Sequence, residues 1–296
     1  MKRVFFIVGP TAVGKSEIAA EVARRTGAEV LSADAFQIYR GLDVLTAKPD
    51  RETLGKAPHH LVGAVPLSEE MNAEKFREAA NTIVGRGKPL IVVGGTGLYI
   101  KALTHGLAPL PAADQQLRQK LERTTNEELF RSFRTLDPVG AEKIDAQNRR
   151  RLIRAVEVCL LTSKPFSAQR TEWDQGAATN GVVLERDRGD LYARINRRVE
   201  EMFVAGVIEE VGAVHQIGPT AEKTLGLSEI RALISGEISQ ADCIARIQQA
   251  TRRYAKRQLT WFRRQTNFPS LNLSAHDPAE AVELISQSAS RAFARG

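Results

Sequence analysis

The sequence has 296 residues, of which 43% are hydrophobic, so the chain can bury a large core in one large domain or two modest ones. A net charge of +7 and a pI near 9.6 favour a polyanionic partner. Two cysteines exclude a disulfide framework, and no apolar run approaches the about 18 residues of a membrane span. Since the first strand follows the N-terminus directly, we expect a cytoplasmic protein without a signal peptide.

A phosphate-loop motif opens the chain. Residues 4–8 form an apolar run of strand length, and residues 9–16 match the pattern G-x-x-x-x-G-K-[ST]. In such a loop, glycines let successive amides converge on phosphate oxygens, and the following helix directs its positive end to the same place. Lys15 adds a charge, and the Ser16 hydroxyl is placed to bind Mg²⁺. The motif therefore predicts a site for a diphosphate or a triphosphate.

A second strand is predicted over residues 28–31, and Asp34 follows it. Because the carboxyl ends of parallel strands face the ligand crevice, we expect Asp34 near the phosphate loop. Its carboxylate could hold Mg²⁺ through water, act as a base on an incoming nucleophile, or only cap local backbone. His59 and His60 lack the spacing of metal ligands, so we interpret them as hydrogen-bonding residues.

A helix over residues 72–84 and a buried strand over 89–93 come next. The strand runs into a glycine-rich turn, residues 94–97, where the backbone can approach a ligand or bend sharply into a helix. This strand lacks the terminal acid of an ordinary NTPase. Asp34 is therefore the one early strand-end acid available for a metal.

The central part of the chain is charged and predicted to be helical. A proline-rich turn at residues 109–111 marks its beginning. Residues 148–158 form a predicted amphipathic helix, and its four arginines at 149–154 favour phosphate contact over a merely solvated face. Residues 177–181 are small and polar, which predicts a linker back to the core.

The last third of the chain is also predicted to be helical. One helix begins at Gly189, and residues 251–264 carry six cations interleaved with three aromatic residues. This interleaving suits contact with RNA backbone and bases, although Trp261 and Phe262 could instead anchor the helix in the core. The final residues predict an amphipathic helix with an apolar face that comprises Ala281, Leu284, Ile285 and Ala292.

Together these motifs resemble the tRNA dimethylallyltransferases, also called tRNA isopentenyl transferases. The resemblance covers nearly the whole chain, and its specificity comes from the order of motifs that are individually weak. Those motifs are GPTA with GKS at 9–16, SAD with QIYRGLD at 32–43, TAKP at 46–49, HHL at 59–61, GGTGLY at 94–99, the helix at 151–157 and the segment 251–264. The chain departs from the family pattern at Ala35, Gly63 and Leu227, and the first and last of these bear on tRNA contacts.

The resemblance implies an α/β fold with a phosphate-loop NTPase-like core, a parallel sheet and an inserted all-helical domain. We map the core to residues 1–111 and 174–296, and the tRNA-binding insertion to 112–173. The implied reaction transfers a dimethylallyl group from dimethylallyl diphosphate to N6 of adenine 37 in tRNAs reading codons that begin with U. The implied cofactor is Mg²⁺, and the implied partner of this monomeric, bacterial-type enzyme is the anticodon stem-loop.

The resemblance also implies roles for individual residues. Asp34 would be the base at adenine N6, and Thr11 and Arg194 would contact the diphosphate and steady the leaving group. The residues implied for binding the donor diphosphate are Gly9, Pro10, Thr11, Ala12, Val13, Gly14, Lys15 and Ser16, with Ser16 also the metal ligand. The implied tRNA contacts are Asp34, Ala35, Phe36, Gln37, Thr96, Arg118, Arg150, Arg151 and Arg154.

Two other functions are consistent with parts of the sequence. An ATP-dependent small-molecule kinase would use the same loop and strand-end acid, but it leaves the basic helices unexplained. A non-enzymatic RNA-binding protein could use a nucleotide as a switch. The position of Asp34 beside a phosphate site argues against that second alternative.

Overall fold

The computed structural model describes residues 3–108, 110–169 and 180–294. The chain divides into two compact units, which we call the sheet unit (residues 1–104 and 177–296) and the helical unit (residues 105–176). The helical unit begins earlier and ends later than the predicted insertion at 112–173.

The described part of the sheet unit contains six parallel strands in the order β3-β2-β4-β1-β5-β6. Parallel pairing brings the carboxyl ends of the strands to one edge, where ligand sites form in folds of this kind. The strands are β1 Val4–Val8, β2 Glu29–Ser32, β3 His59–His60, β4 Leu90–Gly94, β5 Asn180–Glu185 and β6 Ser270–Asn272.

The three strands predicted from apolar runs are confirmed as β1, β2 and β4, whereas the linker predicted over 177–181 is wrong at its end. Asn180 and Gly181 begin β5, and residues 177–179 lie outside the described residues. A Cβ on Gly181 would lie 2.8 Å from Phe6 Cβ. Glycine at this point is therefore a packing requirement beside β1, and not the mark of a linker.

The described helices, in chain order, are α1 Lys15–Thr26, α2 Arg51–Gly55, α3 Ala73–Val84, α4 Gly97–His105, α5 Gln115–Arg123, α6 Asn126–Leu136, α7 Pro138–Ala141, α8 Arg149–Thr162, α9 Arg188–Val204, α10 Val207–Gly212, α11 Leu227–Ile234, α12 Gln240–Gln265 and α13 Pro278–Ala294. The predicted helix over 72–84 is confirmed, with Asn72 capping α3 through the amides of Glu74 and Lys75. No helix in the described ranges has the length and hydrophobicity that crossing a membrane would need.

The side chains of β1 alternate between two cores because successive residues of a strand point to opposite faces. Phe5 and Ile7 pack in the core that contains residues of α1 and α13. Phe6 packs in the opposite core, which contains Phe76 of α3 and Phe262 of α12. A third cluster joins α9, α10 and α11 to the loop that contains Leu42 and Leu45.

The apolar face predicted for the last helix is wrong at one position. Leu284 of α13 is 42% exposed, while Ala281, Ile285 and Ala292 are buried as expected. The buried stripe of α13 continues through residues spaced four apart, and Leu284 lies at its edge.

The helical unit has its own core, in which α6 and α8 pack through Leu129, Phe133, Leu152 and Val156. Its helix starts carry strong capping residues. Asp114, Thr125, Asp137 and Asn148 each accept a hydrogen bond from an amide in the first turn. Polar caps at consecutive helices stabilise each helix by about 1 kcal/mol, which explains how short charged segments become helical.

Candidate active site

The phosphate loop leaves β1 at Gly9 and enters α1 at Gly14, and both glycines have positive φ values. A Cβ on Gly9 would lie 2.4 Å from the Leu184 carbonyl oxygen, so no other residue fits beside β5. Gly14, with a φ of 102°, is the residue that precedes the first turn of α1. These two positions fix the curl of the loop that the sequence motif predicts.

Lys15 is held inside this curl. Its Nζ atom donates to the carbonyl oxygen of Pro10 at 2.6 Å. Burial lowers the pKa of Lys15 to about 8, although the nearby Asp34 carboxylate opposes that shift. A buried ammonium group with a depressed pKa would gain stability from an anion, as expected for a phosphate site.

Three arginines surround the loop and bind successive residues of it. Arg186 Nε donates to the Val13 carbonyl and Arg194 Nε to the Ala12 carbonyl, both at 3.0 Å. Arg198 Nη1 donates to Thr11 Oγ1 at 3.2 Å. Arg186 is also paired with Asp190 at 2.8 Å, so Arg194 and Arg198 are the two of these guanidinium groups better placed to bind a multiply charged anion.

Arg198 is the most unusual of the three. Its Nε atom is buried and has no hydrogen-bond partner among the described residues. Burial lowers the pKa of Arg198, as it does that of Arg194. An incompletely paired, partly buried cation is costly unless a ligand supplies the missing acceptor.

A pocket that opens to solvent lies beside the loop. Thr11 and Arg198 line it together with Asp34. Much of its remaining wall is apolar and comes from α9, α12 and two loops, through Leu45, Ile195, Val199, Met202, Leu225 and Ile247. The pocket thus combines a cationic corner, one carboxylate and an apolar wall, which suits a ligand with a charged head and an apolar tail.

Asp34 follows β2 and lies in this pocket with Thr11, as the parallel sheet predicts. Its Oδ1 atom accepts hydrogen bonds from the amides of Phe36 at 2.9 Å and Gln37 at 3.2 Å. The carboxylate therefore does cap local backbone, but through one oxygen. Oδ2 takes no part in these two bonds, so the roles of base and metal ligand are both compatible with the geometry.

The family model described as IPP transferase matches residues 37–265 of this chain. A tRNA dimethylallyltransferase of Akkermansia muciniphila is 40% identical over 281 residues, covering 94% of this chain and 96% of the relative. One of Caulobacter sp. is 42% identical over 279 residues, covering 89% and 90%. This chain belongs to the IPP transferase family.

Solved structures of similar proteins agree with this membership. The tRNA isopentenylpyrophosphate transferase of Bacillus halodurans is 31% identical to this chain, with a TM-score of 0.71. The alignment covers all of this chain and 98% of the other. A eukaryotic dimethylallyltransferase described as acting on tRNA has a TM-score of 0.78 at 25% identity, covering 93% and 75%. The α/β phosphate-loop fold implied by the sequence motifs is confirmed.

Several residues that the IPP transferase resemblance implies as tRNA contacts have structural partners in the sheet unit. Thr96 Oγ1 accepts a hydrogen bond from the Ala35 amide at 3.0 Å. Gln37 Nε2 donates to the Ala47 carbonyl at 2.9 Å. Phe36 lines the pocket beside Asp34. These bonds hold the loops in place, and the roles of all four residues in tRNA binding stay predictions.

The arginines implied for tRNA binding in the helical unit fall into two kinds. Arg118 and Arg154 bind the fully buried Glu157, at 2.9 Å and 2.5 Å. Arg150 and Arg151 have exposed side chains at the start of α8. Arg118 and Arg154 therefore pair with a buried carboxylate, a contact that the sequence did not indicate. Arg150 and Arg151 are exposed and can contact solvent or a ligand.

The segment 251–264 lies within α12, and its residues have mixed roles. Phe262 is fully buried and anchors the helix, which was one of the two predicted alternatives. Arg252 donates to Asn196 and Arg263 pairs with Glu185.

Both histidines of β3 make hydrogen-bond contacts as interpreted, His59 with the Ala57 carbonyl and His60 with Glu29, each at 2.7 Å.

The residues at the phosphate loop fit Mg²⁺ as an ion shared with a substrate. Ser16 lies partly buried in the first turn of α1, directly after Lys15. Among the described residues, no group of three acidic, histidine or cysteine side chains could hold a metal by itself. Mg²⁺ commonly keeps several waters and binds through few protein ligands and substrate phosphates. One hydroxyl, with Asp34 in the neighbouring pocket, is consistent with that kind of site.

Sequence reasoning missed Arg186 and Arg198. Arg198 lies one helical turn after Arg194 on α9, so the spacing of four residues could have identified it as a second arginine on the same face. Arg186 lies between β5 and α9. The resemblance placed Arg194 of α9 at the diphosphate, but the start of β5 was predicted as a linker, so nothing indicated that Arg186 approaches the loop. Only the pairing of β5 with β1 brings Arg186 there.

Proposed function

We propose that this IPP transferase family member transfers a dimethylallyl group from dimethylallyl diphosphate to N6 of adenine 37 in tRNAs that read codons beginning with U. The observation that carries the proposal is that Thr11, Asp34 and Arg198 line the same pocket. The names of the relatives, tRNA dimethylallyltransferases, support both the donor and the acceptor. We also propose that the protein is cytoplasmic and that it acts as a monomer. Light scattering after gel filtration tests the monomeric state.

The donor diphosphate is bound by the phosphate loop and the cations around it. Lys15, Arg194 and Arg198 supply charge, and Thr11 and Arg194 contact the diphosphate and steady it as it leaves. Arg194 also donates to the Ala12 carbonyl of the loop. As the bond between the allylic carbon and the diphosphate oxygen breaks, negative charge grows on the leaving diphosphate. Donors that are already in place stabilise that charge without reorganisation, which lowers the barrier.

The Ser16 hydroxyl would hold Mg²⁺, which would supply positive charge to offset the charge of the leaving group. The apolar wall around Val199 and Ile247 holds the dimethylallyl group and keeps water from the electrophilic carbon.

Asp34 accepts the proton of the acceptor amine. The adenine must leave its stack to enter the pocket, at a cost of a few kcal/mol. Its N6 atom then forms the new bond to the allylic carbon and loses one proton to the carboxylate. The amides of Phe36 and Gln37 fix Asp34 Oδ1, so the other oxygen has a defined position for this task.

The test is mass analysis of an unmodified tRNA after incubation with the protein, Mg²⁺ and dimethylallyl diphosphate, without ATP. The proposal predicts that the tRNA gains the mass of one dimethylallyl group, located at adenine 37 by nuclease mapping. In a parallel incubation, the protein receives ATP and a small-molecule acceptor. If the tRNA gains no mass in the first incubation and ATP is consumed in the second, the kinase alternative replaces the proposal.

A further inference from the structure

One polar side chain of α12 is buried between two loops of the sheet unit. Gln258 is 6% exposed. Its Oε1 atom accepts from the Thr11 amide at 2.9 Å, and its Nε2 atom donates to the Gly95 carbonyl at 2.8 Å. Thr11 belongs to the loop after β1, and Gly95 belongs to the turn after β4. The carboxamide therefore connects two of the strand ends that form the site.

The fit around this carboxamide is tight. A Cβ on Gly95 would lie 2.3 Å from Gln258 Nε2 and 3.2 Å from the Gly9 carbonyl oxygen. Glycine at this position lets the turn, the phosphate loop and α12 meet. A close approach of two backbones around one side chain leaves little freedom for either loop.

A second residue of α12 extends the connection to the loop after β2. Tyr254, one turn before Gln258, lies near the side chains of Thr96 and Gln258, which oppose the rise that burial causes in the pKa of its hydroxyl. Thr96 Oγ1 in turn accepts from the Ala35 amide at 3.0 Å. Gln258 and Tyr254 thus place α12 against the loop of Thr11 and against the turn that binds the residue after Asp34.

The bond to Gln258 also changes what the phosphate loop can do. Because the Thr11 amide already has an acceptor, it is not available to a phosphate oxygen. Its fixed position instead aligns the Thr11 side chain, whose hydroxyl accepts from Arg198. The amides that remain for the diphosphate are those further along the loop.

We propose that Gln258 is a positioning residue for prenyl transfer: it holds the phosphate loop and the strand-end turn in the relation that brings the donor opposite Asp34. This inference depends on the proposed function, and Gln258 itself need not touch either substrate. Misplacement of reacting groups by about 1 Å can cost about 100-fold in rate, so a positioning bond has a measurable effect.

The chemistry of the side chain provides a sharp test. A neutral carboxamide accepts through oxygen and donates through nitrogen, and an uncharged carboxylic acid can do both as well. A carboxylate cannot donate, and it would face the Gly95 carbonyl with a negative charge. Gln258→Glu should therefore be active when its new carboxyl group is protonated and impaired when that group is ionised.

The experiment measures single-turnover transfer at saturating donor, donor affinity and thermal stability for wild type, Gln258→Met, Gln258→Glu and Gln248→Met. Gln248 is the matched control, since it lies on the same helix and hydrogen-bonds with Asn196 and Glu200 outside the pocket. We expect transfer by Gln258→Met to fall by about 10-fold to 100-fold. The control should stay within about twofold of wild type, with a similar change in thermal stability.

The pH profile separates positioning from a general structural role. The rate of Gln258→Glu relative to wild type should rise as the pH falls from 8 towards 5.5, while the same ratio for Gln258→Met stays constant. Should Gln258→Met fail to fold, the pH profile of Gln258→Glu decides. Wild-type transfer by Gln258→Met, or a pH-independent ratio for Gln258→Glu, would overturn the inference. Absence of transfer by the wild-type protein would overturn the proposed function and this inference with it.

Discussion

The arginines at the phosphate loop and the arginines of the helical unit have different partners. At the loop, Arg194 and Arg198 bind a carbonyl and a hydroxyl of it, and Arg198 Nε is left without an acceptor among the described residues. In the helical unit, Arg118 and Arg154 share the carboxylate of Glu157, which is completely buried. The same residue type bonds to neutral acceptors in one region and shares a buried carboxylate in the other.

The excess of positive charge in the sequence therefore comprises arginines with different uses. A guanidinium group that already binds a buried carboxylate stabilises the fold and has little charge to offer a ligand. A guanidinium group whose hydrogen-bond partners are neutral keeps a positive charge that can attract an anionic ligand. Around the phosphate loop, Arg194 and Arg198 therefore keep charge that no bonded carboxylate in the described ranges offsets, whereas Glu157 partly offsets the charge of Arg118 and Arg154.

Removing the carboxylate opposite the cations should have the largest effect. Asp34→Asn keeps the size of the side chain and its hydrogen bonds to the Phe36 and Gln37 amides, but the amide cannot take a proton. We expect single-turnover transfer to fall by roughly 10²-fold to 10⁴-fold. A rate within a factor of about three of wild type would show that no base is needed at this position.

The next largest effect should come from Arg198. In Arg198→Ala, the leaving diphosphate loses a cation in the pocket, and transfer should fall by roughly 10²-fold to 10³-fold in a rapid-quench assay. Arg197→Ala is the control, because Arg197 is 66% exposed on the same helix. Equal losses in the two variants would remove the distinction between pocket arginines and surface arginines.

In the helical unit, the corresponding change should affect stability. Glu157→Gln leaves two arginines without their shared carboxylate, and we expect the free energy of unfolding of this unit to fall by about 3 kcal/mol. Urea unfolding, with hydrogen exchange to localise the change, measures this. Glu122→Gln, at an exposed position of α5, is the control. A loss no greater than that of the control would mean that the pairing is only incidental.

The charge on Lys15 should give donor binding a pH dependence. Since the pKa of Lys15 in the free protein is about 8, its ammonium group loses the proton as the pH rises through that value. The affinity for dimethylallyl diphosphate should then fall by up to about tenfold per pH unit. Calorimetry between pH 7 and 10 checks this, and Lys15→Arg should remove the dependence. A wild-type affinity that stays constant over this range contradicts a ligand-binding role for the ammonium group.

The smallest effects should come from the exposed arginines of α8. If Arg150 and Arg151 contact tRNA phosphates, each change to alanine lowers the slope of log affinity against log salt by roughly one unit. Arg24→Ala provides the control, since Arg24 is exposed and already paired with Glu21. Slopes equal to that of wild type would mean that both arginines belong to a solvated face.

The features that the sequence predicted are those set by local pattern. The phosphate loop, three buried strands and the position of Asp34 follow from apolar runs and the geometry of parallel sheets. Arg198 was missed although its helical spacing from Arg194 pointed to it. Gln258 could not be predicted as a partner of Thr11, because the two lie 247 residues apart and only the packed fold joins them. The pairing of Arg118 with Glu157 is hidden for the same reason.

Asp34 and the phosphate loop are proposed to form one site for prenyl transfer, with Asp34 as its base. The most direct test measures single-turnover transfer and donor affinity of Asp34→Asn over a series of Mg²⁺ concentrations. If Asp34 is the base, we expect a slow rate at every concentration and a donor affinity close to that of wild type. A rate that high Mg²⁺ restores, together with weakened donor binding at low Mg²⁺, would contradict this role and make Asp34 a metal ligand.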